Sequence, residues 1–345
     1  MTTQMPTKAM KCLACLALLI CFQCARAQDR EDFLHAPDRI EWDAGGLYDG
    51  RFEDGTPFQI QLAYPRPAPV SNRVAGVWNA YWYPRHFTGE RIVLSAEEAP
   101  SGTIKLVQWE PISVVVETFS IALAPDRRSG SGSWTSSKLG KQLSFTLRRA
   151  ILYKEVAVTR PAPPAVAGQR DYPWPFVFSA LFPDLSDSAA NEWMQETLGI
   201  CDDTTECTNS VTVNWSSPAL LSLDATTYGY THPAAHGNSS SSVRHYRLHD
   251  GVMSQAGLDA FLEPGPGCRA KVSDAIVAKL RAQGMGGAQY GALDERSDPR
   301  FLALPDGLEF HFDPYQVGTY AQGMPSVFLT RAGLGQCLKN LPSID

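Results

Sequence analysis

Between residues 57 and 150 the chain breaks into short alternating phrases, and almost nothing in it repeats with the 3.6-residue period of a helix. "PFQIQLAY" sets Phe58, Ile60, Leu62 and Tyr64 against polar or small residues. "VAGVWNAYWY", "ERIVLSA", "GTIKLVQWE", "ETFSIALA", "GSGSWTS" and "KQLSFTLRRA" follow, separated by turns rich in glycine, proline or asparagine. Even, short spacing of this kind predicts an antiparallel β-meander that closes into a barrel or packs as a sandwich. "GVWNAYWY" and "GSGSWTS" resemble the Gly-x-Trp strand starts of avidin-like and lipocalin-like barrels. In such a barrel Trp78, Trp82, Trp109 and Trp134 either line a ligand cavity or fill the core, and core filling is the commoner use of these side chains.

"TRPAPPAVAGQRDYPWP", Thr159 to Pro175, interrupts the pattern with prolines that disfavour both helix and central strand. It divides the chain into an expected leader at 1–27, a β domain at 28–158, a linker at 159–175 and a second domain at 176–345. The second domain reads as α+β, an antiparallel sheet with two helices on one face. "PFVFSALF", "ALLSLDATTYGYTH" and "SVFLT" are strands, and "RFLAL-PDG-LEFHF" is a hairpin turned by Pro305-Asp306-Gly307. "LSDSAANEWMQETLG" is a helix capped by Ser186 or Asp187, with Ala190, Trp193, Met194 and Leu198 on one face. "CRAKVSDAIVAKLRAQG" is another, with Val272, Ile276, Val277 and Leu280 in its apolar stripe and Gly284 as its stop.

Lys8 and Lys11 precede an apolar run from Cys12 to Cys21, and Ala25-Arg26-Ala27 has the small-x-small form of a cleavage site. The run is short for a membrane span. The expected mature chain therefore starts near Gln28, periplasmic or secreted, with no stable membrane anchor. Cleavage removes three positive charges and no acid, taking the formal charge from −6 to −9. An acidic surface without basic runs argues against a nucleic-acid partner and favours a cationic one. Of eight cysteines, Cys201, Cys207, Cys268 and Cys337 remain, an even set that in an oxidising compartment predicts two disulfides. Three pairings are open; Cys201–Cys207 and Cys268–Cys337 are preferred over the others and over a zinc site, which lacks any C-x-x-C pair.

No nucleophile elbow, H-E-x-x-H helix, phosphate loop or dinucleotide fingerprint is present. His232, His236, His245 and His249 fall close together, but "HPAAH" contains proline and "VRHYRLH" alternates as a strand. Four-residue spacing gathers ligands only on a helix. A cross-strand set of His236, His311 and Asp313 is the remaining metal arrangement, and surface or network histidines are commoner. Glu309 and Asp313, with Asp224 or Glu263, are the carboxylates a glycosidase reading would need. The expectation is a chain with no catalytic residues, no metal and no cofactor.

The most informative phrase is "LEFHFDPYQVGTYAQG", Leu308 to Gly323. Leu308, Phe310 and Phe312 alternate with Glu309 and His311 as in a half-buried strand, and Asp313-Pro314 ends the pairing. Tyr315 and Tyr320 follow, on a segment that Gly318 and Gly323 let turn. Each tyrosine is either a binding anchor or a staple that bonds the loop to backbone. With "SLDATTYGYTHPAAHGNSSSSVRHYRLHDG", this stretch resembles the extracellular domain shared by the RsiV lysozyme-receptor anti-sigma factor and PdaC-type peptidoglycan deacetylases. The likeness runs from about Asp171 to Leu341. It places a Gly-Ala-His-type turn at Ala234 to Gly237, and a second motif at Phe310 to Gly323. The chain has too few residues before its apolar run for a sigma-binding segment and shows no Asp-Asp metal motif, so neither activity is implied. What the resemblance implies is a recognition domain for a lysozyme-like hydrolase, or for cell-wall glycan. Its binding residues would be Glu309, His311, Asp313, Tyr315, Tyr320 and His236, the last also holding its own turn through side-chain to backbone bonds.

Overall fold

The computed structural model describes residues 39–63, 77–78, 94–97, 103–110, 114–160, 176–198, 205–231, 236–249, 252–285, 300–313, 316–319 and 324–342. Within them β-structure dominates. Eight strands make the meander: β1 (Arg39–Phe52), β2 (Pro57–Ala63), β3 (Val77–Trp78), β4 (Leu94–Glu97), β5 (Thr103–Glu110), β6 (Val114–Leu123), β7 (Ser129–Ser136) and β8 (Lys141–Arg160). Each of β3 to β8 pairs antiparallel with the next, and β8 pairs with β1 along most of its length. Among the described residues no ladder joins β2 to β3, so the meander curls without closing as a barrel.

The predicted alternation has a direct physical use. Phe58, Ile60 and Leu62 point inward with Tyr48, Phe119, Ile121, Trp134 and Phe145 to form one apolar interior. Within it Phe52 and Phe58 stack with centroids 4.5 Å apart, and Phe145 stands edge-on to both. Gly132 of "GSGSWTS" makes room for this cluster, since a methyl group at that position would come within 2.6 Å of the Phe145 ring. Trp134 is 2% exposed, so it is core filling and no cavity wall. Trp82 and the side chains of Trp78 and Trp109 lie outside the described residues.

The polar positions of β2 do not face water. Gln59 and Gln61 are buried, because the second half of the chain covers that face. Gln59 Nε2 donates to the Ser216 carbonyl at 2.8 Å, and the Tyr153 hydroxyl donates to Gln61 Oε1 at 3.1 Å while accepting from the Val213 amide at 2.7 Å. β8 also runs past its pairing with β7 to pair with β9 (Phe176–Pro183), so one mixed sheet passes from the meander into the second half. Its far side is β10 (Thr205–Ser217), β11 (Leu220–Thr231), β12 (Asn238–His249) and the short edge strand β13 (Val252–Gln255). The proline-rich strip between β8 and β9 is outside the described residues.

β9 and β10 are parallel, and helix α1 (Ser188–Leu198) lies between them in sequence, as a parallel pair requires. Asp187 caps it, accepting from the Ala190 amide at 2.8 Å. Ala190, Trp193 and Met194 are buried against Val211, Val213, Leu223 and Tyr246. Helix α2 (Pro266–Ala282) starts with proline and ends in a Schellman turn: Gly284 at φ +80° donates to Arg281, and Met285 donates to Leu280. Val272, Ile276 and Leu280 pack against a separate three-stranded antiparallel sheet, β14 (Phe301–Leu304), β15 (Gly307–His311) and β16 (Ser326–Thr330). The two helices thus serve different sheets. A short helix α3 (Arg331–Leu334) follows β16.

The Cys268–Cys337 disulfide ties α2 to the C-terminal segment, with Cα atoms 5.2 Å apart and a sequence separation of 69. A loop of that length gives about 4 kcal/mol on the chain-entropy model. Cys201, the partner expected for Cys207, lies outside the described residues. Among those described, no helix is long and apolar enough to cross a membrane.

Candidate functional site

β10, β11 and β12 run in register, which sets their side chains in rows. Thr208, Tyr228 and Ser239 are opposite one another, as are Ser210, Thr226 and Ser241, and each row projects from one face of the sheet. The next row, Thr212, Asp224 and Val243, passes under the small sheet. Burial grades along the face accordingly: Thr212 and Asp224 are buried, Ser210, Thr226 and Ser241 half-buried, Thr208 and Tyr228 exposed. The outer part is a shelf of hydroxyl groups ending in an aromatic ring.

Tyr228 is 45% exposed, unusual for a ring on a central strand. It lies over Gly237, where a methyl group would come within 2.4 Å of the ring. His236, beside it, is exposed, and its Nδ1 is 3.1 Å from the Gly237 carbonyl. This is the side-chain to backbone bond expected for a histidine that fixes its own turn.

Arg300 forms the inner wall of the shelf. Nη1 donates to the Ser241 carbonyl and to its Oγ, each at 2.9 Å, and to Asp313 Oδ1 at 2.5 Å; Nη2 donates to Gln316 Oε1 at 3.0 Å. The Asp313 amide also donates to that Gln316 oxygen, and the Gln316 amide to the Asp313 carbonyl. Asp313 therefore closes a turn that one guanidinium fastens to β12. Val317, buried at 3% exposure, anchors the same turn from below.

The other predicted residues do not share this surface. Phe310 and Phe312 are in the core as expected, but so is the opposite face of β15. Glu309 is 8% exposed, and His311 Nε2 is 3.5 Å from Glu309 Oε1 with little of either side chain accessible. The expected half-buried strand is in fact covered on both faces. Its alternation records two polar side chains, Glu309 and His311, enclosed side by side, and no exposed binding face. Tyr315 and Tyr320 lie outside the described residues. Sequence reasoning missed Arg300 and Tyr228; the "TYGY" phrase was the available signal for Tyr228, while Arg300 sits in no motif.

Ser222, Asp224 and His245 also share a face and invite comparison with a catalytic triad. The geometry is wrong. Ser222 Oγ makes no hydrogen bond, and His245 Nε2 accepts from the Ala303 amide at 3.2 Å. The His245 ring stacks on Phe301 at 4.5 Å and meets Phe261 edge-on. Burial lowers its pKa to about 3, so it stays neutral inside the core. A second buried ionisable group, Glu117, sits in the meander, accepts from Trp134 Nε1, and is raised by burial against the opposing effect of bonds from Ser136 and Trp134. Among the described residues no three His, Cys, Asp or Glu side chains are placed to hold a metal ion.

Residues 259–332, which carry α2, the small sheet and the Arg300–Asp313 wall, match a family model described as a protein of unknown function (DUF3298). A DUF3298 domain is therefore present there. Similar solved structures include a DUF3298 family protein from Pseudomonas aeruginosa PAO1, 13% identical, with 55% of this chain and 94% of that one covered and a TM-score of 0.40. Another is a DUF3298 family member from Bacteroides fragilis NCTC 9343, 15% identical, covering 56% and 96%, with a TM-score of 0.38. No curated protein matches. Neither RsiV nor PdaC is named by these matches.

Proposed function

We propose that this chain is a non-catalytic recognition protein of the cell envelope, periplasmic or secreted, whose second half docks a lysozyme-like hydrolase and restrains it. One observation supports this reading most. Arg300 fastens the Asp313 turn to Ser241, on the strand that His236 and Gly237 introduce, which links the described residues of the two motif segments of the resemblance. The ring of Tyr228 stands exposed between them and the open shelf. A rigid aromatic on an ordered polar platform is the composition expected of an interface anchor. Tyr315 and Tyr320, which lie outside the described residues, are the further contact residues the sequence proposes. The chain's acidic balance, −6 over the full sequence, complements a basic hydrolase.

The test is clearance of cell-wall turbidity by a basic muramidase in the presence of the purified protein. Saturable inhibition is expected, and Tyr228→Ala should weaken it about tenfold or more while leaving the circular dichroism unchanged. Absence of any inhibition or binding overturns the reading. So does release of soluble wall fragments by the protein alone, which would make it an enzyme.

A further inference from the structure

Where the meander meets β10, a cleft of ≈ 470 Å³ lies between the outer face of β1, β2 and β8 and the β10–β11 turn. That volume matches the pockets that enclose small ligands, and junctions between structural units are where such pockets concentrate. Register explains its polar side. Asp49 pairs with Arg148 and with Gln59, and Arg51 pairs with Thr146, which points all five outward into the cleft. Pro57, half-buried, and Pro218, exposed, supply the apolar part, while Phe58, Leu147 and Trp215 border the cleft from the core.

The charges in this cleft are only partly matched. Asp49 Oδ1 accepts from Gln59 Nε2 at 2.9 Å, and the same Gln59 bonds the Ser216 backbone, so this carboxylate belongs to the floor that joins the two halves. Arg148 approaches Asp49 no closer than 3.8 Å, and its side chain is 83% exposed. Arg51 Nη1 donates to the Gly55 carbonyl, a neutral partner. Two guanidinium groups on adjacent strands therefore face one carboxylate that is already committed. In a chain of net charge −6 this is a local positive site. Guanidinium forks recognise planar or tetrahedral oxyanions through paired N–H donors, and the apolar patch beside them suits the face of a sugar ring.

We propose that this cleft binds a sugar-sized ligand bearing a carboxylate or a phosphate, with Arg51 and Arg148 on the oxyanion and Pro57 and Pro218 against the ring. Calorimetric titration of the full protein with glucuronate, glucose 6-phosphate, glucose and inorganic phosphate tests it. At least one of the two anionic sugars should bind saturably, about tenfold or more tighter than glucose and than inorganic phosphate, and their ratio identifies the oxyanion. The double variant Arg51→Ala, Arg148→Ala should lose that preference; both residues are exposed, so its folding should be unchanged. The proposal is overturned if neither anionic sugar binds. It is equally overturned if glucose or inorganic phosphate binds as tightly as the anionic sugars, or if the double variant binds them unchanged. None of these outcomes depends on whether the Tyr228 shelf binds a hydrolase.

Discussion

The meander and the second half solve the same problem, a large β surface to be covered, with different chemistry. Inside the meander Phe52, Phe58, Phe119, Trp134 and Phe145 interlock, and the ionisable group enclosed beside them is Glu117, held by the Trp134 indole. Between the large and small sheets of the second half, rings alternate with hydrogen-bonding groups. His245 stacks on Phe301 while accepting from backbone, and Arg300 carries several bonds across the boundary. Contacts among rings tolerate sliding as long as volume is filled, whereas a buried donor must find one particular acceptor. The first half is thus built for bulk stability. The second is built to fix the position of a turn, which is what a recognition surface needs.

The largest effect that sharpens this contrast comes from the rings. Phe145→Ala should destabilise the protein by about 3–5 kcal/mol, since it empties a space between Gly132, Phe52, Phe58 and Phe119 that a tightly paired sheet cannot collapse to fill. Urea denaturation followed by tryptophan fluorescence measures it. A loss below about 1 kcal/mol would mean that the interior is loosely filled, and the contrast would fail on its first side.

The second half predicts a smaller energetic loss with a more local consequence. Arg300→Ala removes four hydrogen bonds, but the Asp313 side chain is 38% exposed and water recovers part of that ion pair. The expected cost is about 1–2 kcal/mol. Hydrogen exchange should speed up at residues 316–319 and at Ser241 while the meander amides keep their protection. Arg300→Lys should recover only part of the effect, because a single ammonium cannot reproduce a planar fork bonded to four acceptors on three residues. Unchanged exchange at the turn would show that Val317 alone holds it.

How far these features were legible follows from the same chemistry. The phrases that became β2 and β5 to β8 were readable because one face of each meets an apolar interior, which leaves a period of two in the sequence. Both helices were readable from their stripes and caps, and so was the hairpin at Pro305 to Gly307. β1, "RIEWDAGGLYDGRF", was not; Gly45 and Gly46 interrupt its pattern and a bulge breaks its register with β8. β10, "TECTNSVTVNWSS", was missed because its shelf face carries Thr208, Ser210 and Thr212, so a central strand looks polar. At the candidate site, Asp313 was marked as the end of a strand, which stops two residues earlier at His311. Its partner Arg300 is thirteen positions away, and nothing local in a sequence records such a pairing. Glu309 and His311 misled for the opposite reason: alternation tells which residues share a face, and says nothing about whether a second layer covers it.

The smallest effect near neutral pH separates the halves by sign. His245 falls from its ordinary value of 6.5 to about 3 in the folded protein, so its neutral form contributes stability fully above 6.5, and that contribution is lost progressively as pH falls towards 3. Glu117 is raised by burial from 4.5, so its contribution is present below 4.5 and is lost as pH rises through its folded value. Between about pH 7.5 and about pH 6 the His245 loss should be less than roughly 1 kcal/mol, growing towards tenfold in the folding equilibrium for each further unit. Urea midpoints measured across this range for the wild type, His245→Phe and Glu117→Gln resolve the two. His245→Phe should flatten the acid side by the His245 share. Glu117→Gln should leave the acid side in place and raise stability at neutral pH, because the amide keeps the Trp134 bond without a charge to bury. If His245→Phe leaves the acid side as steep as in the wild type, the second half is not held by a neutral core histidine, and its difference from the meander reduces to the Arg300 wall.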